Sequence, residues 1–414
     1  MSIATHTRTG TGRPALFGGE PAFATPRHVG APNLGDRDAF LARIGEALDR
    51  RWLTNRGPLV EEFESRVAAR HGVEHCVAMC NGTTALEIAV RALGLTGEVI
   101  LPSFTFVATA HALQWQRITP VFCDIEPDGY NLDPARIEAH VTPRTTGIIG
   151  VHLFGRPAKV EALQRVADRH GLALLYDAAH AFGCSRGGET IGRFGNCEVL
   201  SFHATKFVNA CEGGAVVTDD ADLAHRVRLM QNFGFEGLDR VTHIGINGKM
   251  SEVSAAMGLT SLEGEAEMVE VNRRRHAAYR RGLAGVPGLA LMGYDPRDRN
   301  NWQYAVVEVD RRAAGLSRDQ LVELLRAENV LARRYFHPGC HRMEPYRSLY
   351  PHAGRLLPRT EQVCGRVMVL PTGGAVGGDD VTRICGLLDG FVAHAPEIRA
   401  HWAQRPGKRG DANG

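Results

Sequence analysis

Two short stretches carry residue types that could do chemistry together. One is Ser201-Phe202-His203-Ala204-Thr205-Lys206, which runs on to Glu212-Gly213-Gly214. It reads as the end of an apolar strand (198–202), a polar loop holding a lysine, and a second apolar strand (215–218). A lysine ahead of a Gly-Gly turn stands where backbone and ligand can approach closely. The plainer reading is a surface lysine between two strands. The other stretch is Leu172-Ala173-Leu174-Leu175-Tyr176-Asp177-Ala178-Ala179-His180. Its near-continuous apolar run suits a strand buried on both faces of a parallel sheet. Asp177 ends that strand, and ligands of open α/β sheets bind outside the carboxyl ends of the strands. A carboxylate there is costly to bury unless a cation pairs with it. The ring nitrogen of pyridoxal phosphate is such a cation, and an aspartate that keeps it protonated strengthens the ring as an electron sink. The alternative for Asp177 is a helix N-cap, where aspartate is also favoured.

A third stretch would complete a site. Residues 74–80 read as a strand, Asn81-Gly82-Thr83-Thr84 as a small-residue turn, and 85–93 as a helix. A strand, a tight turn and a helix N-terminus form an anion site, because free N–H groups and the helix dipole both point at the ligand. The same pattern describes an ordinary capped helix. Ahead of the Asp177 and Lys206 stretches it reads as a phosphate cradle. Phe106 follows the strand 98–102, where an aromatic can stack on a planar ring or pack into the core.

Asp177-Ala178-Ala179-His180, then Ser201 to Lys206, then Glu212-Gly213-Gly214, in this order, resemble the DegT/DnrJ/EryC1/StrS family over about residues 31–372. The members are pyridoxal-phosphate-dependent sugar aminotransferases of fold type I. The resemblance implies that Lys206 anchors the cofactor covalently and then serves as base and acid, while Asp177 pairs with the pyridinium nitrogen. Gly82, Thr83 and Ser201 match residues that hold the phosphate, and Phe106 matches the aromatic against the pyridine face. His180 stands where many members have Gln and is expected near the phenolic oxygen. Asn247, in Gly245-Ile246-Asn247-Gly248-Lys249, matches a residue that reaches the neighbouring subunit's phosphate, so a homodimer is expected. The stretch 333–341 (Arg-Arg-Tyr-Phe-His-Pro-Gly-Cys-His) with 343–347 resembles the subgroup acting at C4 of dTDP-linked 4-keto-6-deoxy sugars. Arg334, Tyr335 and His341 are the substrate residues expected there, with a nucleotide-linked keto-deoxysugar as acceptor and L-glutamate as amino donor. Aminotransferases of C3 keto sugars or keto-cyclitols are alternatives within the family. Its dehydratases replace the lysine with histidine, which Lys206 speaks against. A non-catalytic cofactor-binding regulator would carry a basic DNA-binding extension, and none is visible.

These residues need elements to hold them. Strands are expected at 98–102, 120–124, 147–153 and 172–176, separated by helices at 134–140 and 158–170. Such alternation implies right-handed crossovers and a mainly parallel sheet with helices on both faces. A helix at 36–50 has Phe40, Leu41, Ile44 and Leu48 on one face, and another at 59–70 is opened by Pro58. A helix at 220–232 precedes the Asn247 loop, and one long amphipathic helix is expected from Ser251 to about residue 283. A stretch rich in Gly, Pro and Arg (285–300) reads as a domain boundary. Beyond it, strands at 302–309 and 367–370 and a helix at 317–328 suit a smaller α+β domain. The expected layout is therefore a flexible arm (1–28), a large cofactor domain (29–285), a small domain (286–403) and a disordered tail (404–414).

Composition agrees with that layout. The chain has 414 residues, too many for one simple core, with 44% hydrophobic and 23% charged residues. A formal charge of +2 argues against a nucleic-acid or membrane-surface partner. No stretch reaches the roughly 20 apolar residues of a membrane span, and the polar first residues show no secretory leader. Nine scattered cysteines without a Cys-x-x-Cys pair suggest reduced thiols and a cytoplasmic protein, with no metal site.

Overall fold

A computed structural model describes residues 13–404. Seven strands form the central sheet: β1 (His75–Met79), β2 (Glu98–Pro102), β3 (Thr119–Cys123), β4 (Thr145–Val151), β5 (Ala173–Asp177), β6 (Cys197–Ser201) and β7 (Gly214–Thr218). Their spatial order is β1-β7-β6-β5-β4-β2-β3. Strand β7 runs antiparallel to β1 and β6, and all the other pairings are parallel. The period-two alternation of a strand sends neighbouring residues to opposite faces. Thus Leu175 joins one core cluster while Leu174 and Tyr176 join another. In β7, Val216 packs to one side and Ala215 and Val217 to the other. This two-sided burial is why these strands read as continuous apolar runs.

The longer helices around this sheet are α1 (Arg37–Arg50), α2 (Pro58–His71), α3 (Gly82–Ala92), α4 (Val107–Gln114), α5 (Val160–His170), α6 (Ala221–Met230), α7 (Glu252–Glu263) and α8 (Glu265–Gly282). Asp36 caps α1 by accepting from the N–H groups of Asp38 and Ala39. The start of α2 is capped from far away: Leu59 and Val60 N–H each donate to the fully buried carboxylate of Glu252, at 3.0 Å. The expected long helix from 251 is two helices that meet at Gly264, the C-cap of α7 and the N-cap of α8. Glycine is a weak helix former, and the break lets α8 turn away from the large sheet toward a second core.

That second core surrounds a three-stranded antiparallel sheet, β8 (Leu289–Leu291), β9 (Ala305–Val309) and β10 (Val367–Leu370). The helices α9 (Arg318–Ala327), α10 (Gly378–Ala393) and α11 (Ala395–Ala403) pack on it. Tyr279 and Leu283, from α8 and its end, belong to this core too, and Tyr279 Oη donates to Pro371 O at 2.8 Å. The expected boundary at 285–300 thus falls after a helix that already packs with the smaller unit.

Part of the expected arm is also structured. Phe23 is buried in the second core, Ala15 and Ala22 N–H donate to Glu328 at 2.8 and 2.7 Å, and Arg27–His28 pairs in parallel with Val330–Leu331. Its small, Gly- and Pro-rich sequence hides this, because a few apolar anchors hold it. Residues 1–12 of that arm and 405–414 of the tail lie outside the described residues. All nine cysteines are free, and only Cys211 is exposed. Among the described residues no helix is long and apolar enough to cross a membrane.

Candidate active site

The carboxyl ends of β5 and β6, the amino end of α3 and the loops after β2 open onto one cavity of about 260 Å³. Residues from the smaller unit, Gln303, Tyr304, Tyr335 and Phe336, close its other side. Gly82, Thr83, Phe106, Asp177, His180, Ser201, Lys206 and Tyr335 all line it, so eight of the expected residues meet in one place.

The anion cradle is built from backbone. Asn81 is the N-cap of α3, and its side chain accepts from Thr84 N–H at 2.8 Å. The helix therefore starts at Gly82, three residues earlier than its sequence suggests. Gly82 and Thr83 occupy its first turn, where N–H groups have no carbonyl partner within the helix. A Cβ on Gly82 would lie 3.1 Å from Ser201 Cβ and 3.3 Å from its Oγ. Absence of that atom keeps the amides and the hydroxyl facing one small space. A Cβ on Gly214 would lie 2.5 Å from Asn81 O and 2.6 Å from Gly82 N. The Gly213-Gly214 pair thus lets β7 close against the cradle.

Asp177 is buried, and its carboxylate is held from two sides. Oδ2 accepts from Thr109 Oγ1 at 2.8 Å, and Oδ1 accepts from Ala179 N–H at 3.1 Å. The carboxylate meets no cation at ion-pair distance among the described residues. Lys206 stands near enough for the two charges to interact. Burial pulls the lysine down from its ordinary value to about 8, and the Asp177 charge opposes that shift. Far more of this amine is free base near neutrality than in an exposed lysine.

His180 is pushed well below its usual value, first by burial and then by the Lys206 charge. Its Nδ1 accepts from Phe154 N–H at 3.3 Å, which assigns the proton of the neutral ring to Nε2. The imidazole lies in an aromatic wall, with Tyr304 at 4.5 Å and Phe336 at 5.8 Å between centroids. Phe106 is 56% exposed, high for a phenylalanine, and lines the cavity.

Three expected residues do not line this cavity. Arg334 donates to Asp319 Oδ1 at 2.8 Å, the same oxygen that Arg318 Nε contacts. His341 is 2% exposed, with Nδ1 2.7 Å from Ser103 Oγ and Nε2 2.8 Å from Glu361 Oε1. It ties the residue after β2 to the segment that carries Glu361. Asn247 is exposed, in a bridge with Asn232, and outside the cavity of its own chain.

Other residues escaped the sequence reading. Thr109 lies in α4, a short helix whose pattern is weakly amphipathic. Gln303 donates to Thr205 O at 2.8 Å and so ties the lysine loop to the smaller unit. His203 and Glu212 also line the cavity, with Nε2 and Oε1 3.6 Å apart. Both belong to the lysine stretch, and their position beside Lys206 was the available signal.

The residues fit pyridoxal phosphate. First-turn amides and hydroxyls suit its phosphate, a carboxylate without a cation suits its ring nitrogen, and a lysine with depressed basicity suits its aldehyde. The model of the DegT/DnrJ/EryC1/StrS aminotransferase family matches residues 35–389. A dTDP-4-amino-4,6-dideoxy-D-glucose transaminase of Escherichia coli is 38% identical over 363 residues, covering 87% of this chain and 98% of that protein. GDP-perosamine synthase of Caulobacter vibrioides is 35% identical over 376 residues, covering 87% of this chain and 97% of that protein. Among solved structures, DesI in the presence of its TDP-sugar product superposes with a TM-score of 0.91 at 53% identity, covering 94% of this chain and 98% of that one.

Proposed function

The chain belongs to the DegT/DnrJ/EryC1/StrS aminotransferase family, and from that premise we propose that it moves an amino group from L-glutamate to C4 of a dTDP-linked 4-keto-6-deoxyhexose. It is a pyridoxal-phosphate-dependent sugar aminotransferase. The observation that supports the reading most directly is the convergence of Lys206, Asp177 and the Gly82–Thr83 amides on one cavity. The C4 assignment is supported by relatives whose names specify 4-amino and TDP-sugar chemistry.

When bound, pyridoxal phosphate supplies the electron sink that lets an amino group pass from donor to acceptor. Gly82, Thr83 and Ser201 would hold its phosphate through N–H and O–H donors. Asp177, aligned by Thr109 and Ala179, holds a proton on the ring nitrogen. Phe106 would pack against its ring, and His180 would offer Nε2–H to an oxygen acceptor on it. Lys206 would anchor the group, and its amine, free of that bond, would take the proton from the amine-bearing carbon of the donor. It later delivers a proton to C4 of the sugar. Tyr335 lines the side on which the sugar enters.

A second copy of the chain completes the site in this reading. Asn247 reaches the partner's phosphate, which accounts for an exposed asparagine in a loop tied to Asn232. The neighbouring apolar side chains support that partner, with Leu238 91% and Ile244 75% exposed. The free thiols suit a reducing compartment, the cytoplasm.

The test is product analysis with L-glutamate and a panel of acceptors: dTDP-linked 4-keto and 3-keto deoxysugars and a keto-cyclitol. Amination of the 4-keto sugar with release of 2-oxoglutarate is expected. Turnover confined to a 3-keto sugar or a cyclitol would replace this acceptor.

A further inference from the structure

The substrate proposed above carries a diphosphate, and that group needs a cation at the cavity rim. Lys206 lies inside the cavity. Arg318 and Arg334 both spend a guanidinium N–H on Asp319, and Arg326 donates to Ala332 O. Arg333 is different. Its side chain is exposed and makes neither an ion pair nor a hydrogen bond among the described residues. Its backbone is fixed on both sides, because Arg333 N–H donates to Val369 O at 3.0 Å and Val369 N–H to Arg333 O at 2.8 Å.

The guanidinium also has a defined seat. Arg333 Cζ lies 5.0 Å from the centroid of the Tyr335 ring, which lines the cavity. Tyr335 stacks on Phe336 with centroids 5.1 Å apart and planes 19° apart. Phe336 stacks in turn on His180, at 5.8 Å and 18°. One stack of flat groups therefore runs from an exposed cation, through two rings that line the cavity, to the buried His180. A guanidinium laid on an aromatic face keeps its N–H edges free, and those edges match phosphate oxygens two at a time. Seating it in advance lowers the entropy lost on binding.

Resting on the nucleotide-sugar reading, we infer that Arg333, seated on Tyr335, binds the diphosphate of the substrate. The carboxylates of the amino donor are the other anions that reach this site, and a test must separate them. The probes are dTDP and thymidine, titrated calorimetrically into the cofactor-loaded enzyme. Steady-state constants for the sugar and for L-glutamate complete the set. Arg333→Ala is expected to weaken dTDP binding by about tenfold or more while thymidine binding and the KM for L-glutamate stay unchanged. Arg333→Lys retains the charge without the fork and should fall between Ala and wild type. Salt should weaken dTDP binding less in Arg333→Ala than in wild type.

If wild type binds dTDP and Arg333→Ala binds it equally well, this inference fails and the substrate reading stands. A rise in the KM for L-glutamate with dTDP binding intact would assign the guanidinium to the donor and also overturn it. A wild-type enzyme that neither binds dTDP nor aminates its keto sugars removes the substrate reading, and the inference with it.

Discussion

Lys206 gives the sharpest expectation at the scale of a residue. With its amine brought to about 8, about one tenth is free base at pH 7 and half at pH 8. An ordinary lysine near 10.4 offers roughly one part in 2,500 at pH 7. In the cofactor-free chain, Lys206 should therefore be the first lysine modified by a limiting acylating reagent, with a rate that rises to a plateau above pH 8. Peptide mapping reads the site, and preferential labelling of another lysine would contradict the burial argument. The sign also holds for stability. A lysine lowered on folding costs stability below about pH 8, and the cost is relieved as pH rises toward 10.4. In the loaded enzyme, borohydride should fix the cofactor to Lys206, while Lys206→Ala should keep the cofactor through the cradle yet not transaminate. Asp177→Asn keeps the shape of the Thr109 contact but removes the charge. About 4 kcal/mol of barrier, or roughly a thousandfold in kcat, is the expected loss, and near-normal turnover would show that the carboxylate plays no electronic part. At this scale the chemistry was legible because Lys206, Asp177 and Gly82 sit in short local patterns. His341 and Arg334 lie outside the cavity because their nearest partners, Ser103, Glu361 and Asp319, come from packing that no local pattern records.

Elements explain what spacing alone could and could not reveal. Strand β2 was legible to the residue, since a buried strand bounded by turn residues leaves a clear apolar run. The division between α7 and α8 was hidden, because residues that favour a helix continue on both sides of Gly264. Helix α4 was missed for the opposite reason: its mixed apolar faces give little amphipathic contrast, yet it carries Thr109 to Asp177. The closure of β7 over the α3 N-terminus is the feature to test here. In Gly214→Ala the new methyl would press on the backbone of Asn81 and Gly82 at 2.5–2.6 Å, where no flexible side chain can yield. A loss of about 1–3 kcal/mol of stability is expected, with weaker cofactor binding measured by dilution of the loaded enzyme. Gly386→Ala is the control. It is an exposed position inside α10 with no neighbour within 4 Å, and should stabilise by about 0.5–1 kcal/mol. Equal behaviour of the two variants in thermal unfolding would show that the close approach is not needed.

At the scale of the whole molecule, two cores meet over one cavity and a second chain is expected to finish it. A two-fold dimer lends the same loop in both directions. Lys206→Ala and Asn247→Ala chains, dissociated and mixed in equal amounts, should regain activity if Asn247 serves the partner. About half of the dimers are then mixed, and one of their two sites is whole, so about a quarter of wild-type activity is expected. No recovery, given an impaired Asn247→Ala parent, would place Asn247 in its own chain's site. The position of β7 has one more consequence, which concerns time. The cradle's helix leaves the ribosome early, yet the strand that fits beside it in the sheet is synthesised far later, and the Tyr304 and Tyr335 wall later again. A growing chain has no finished berth for the cofactor until most of it has been made. Because a ligand stabilises only the state that binds it, the cofactor can stabilise only a chain whose cradle, β7 and aromatic wall are all in place.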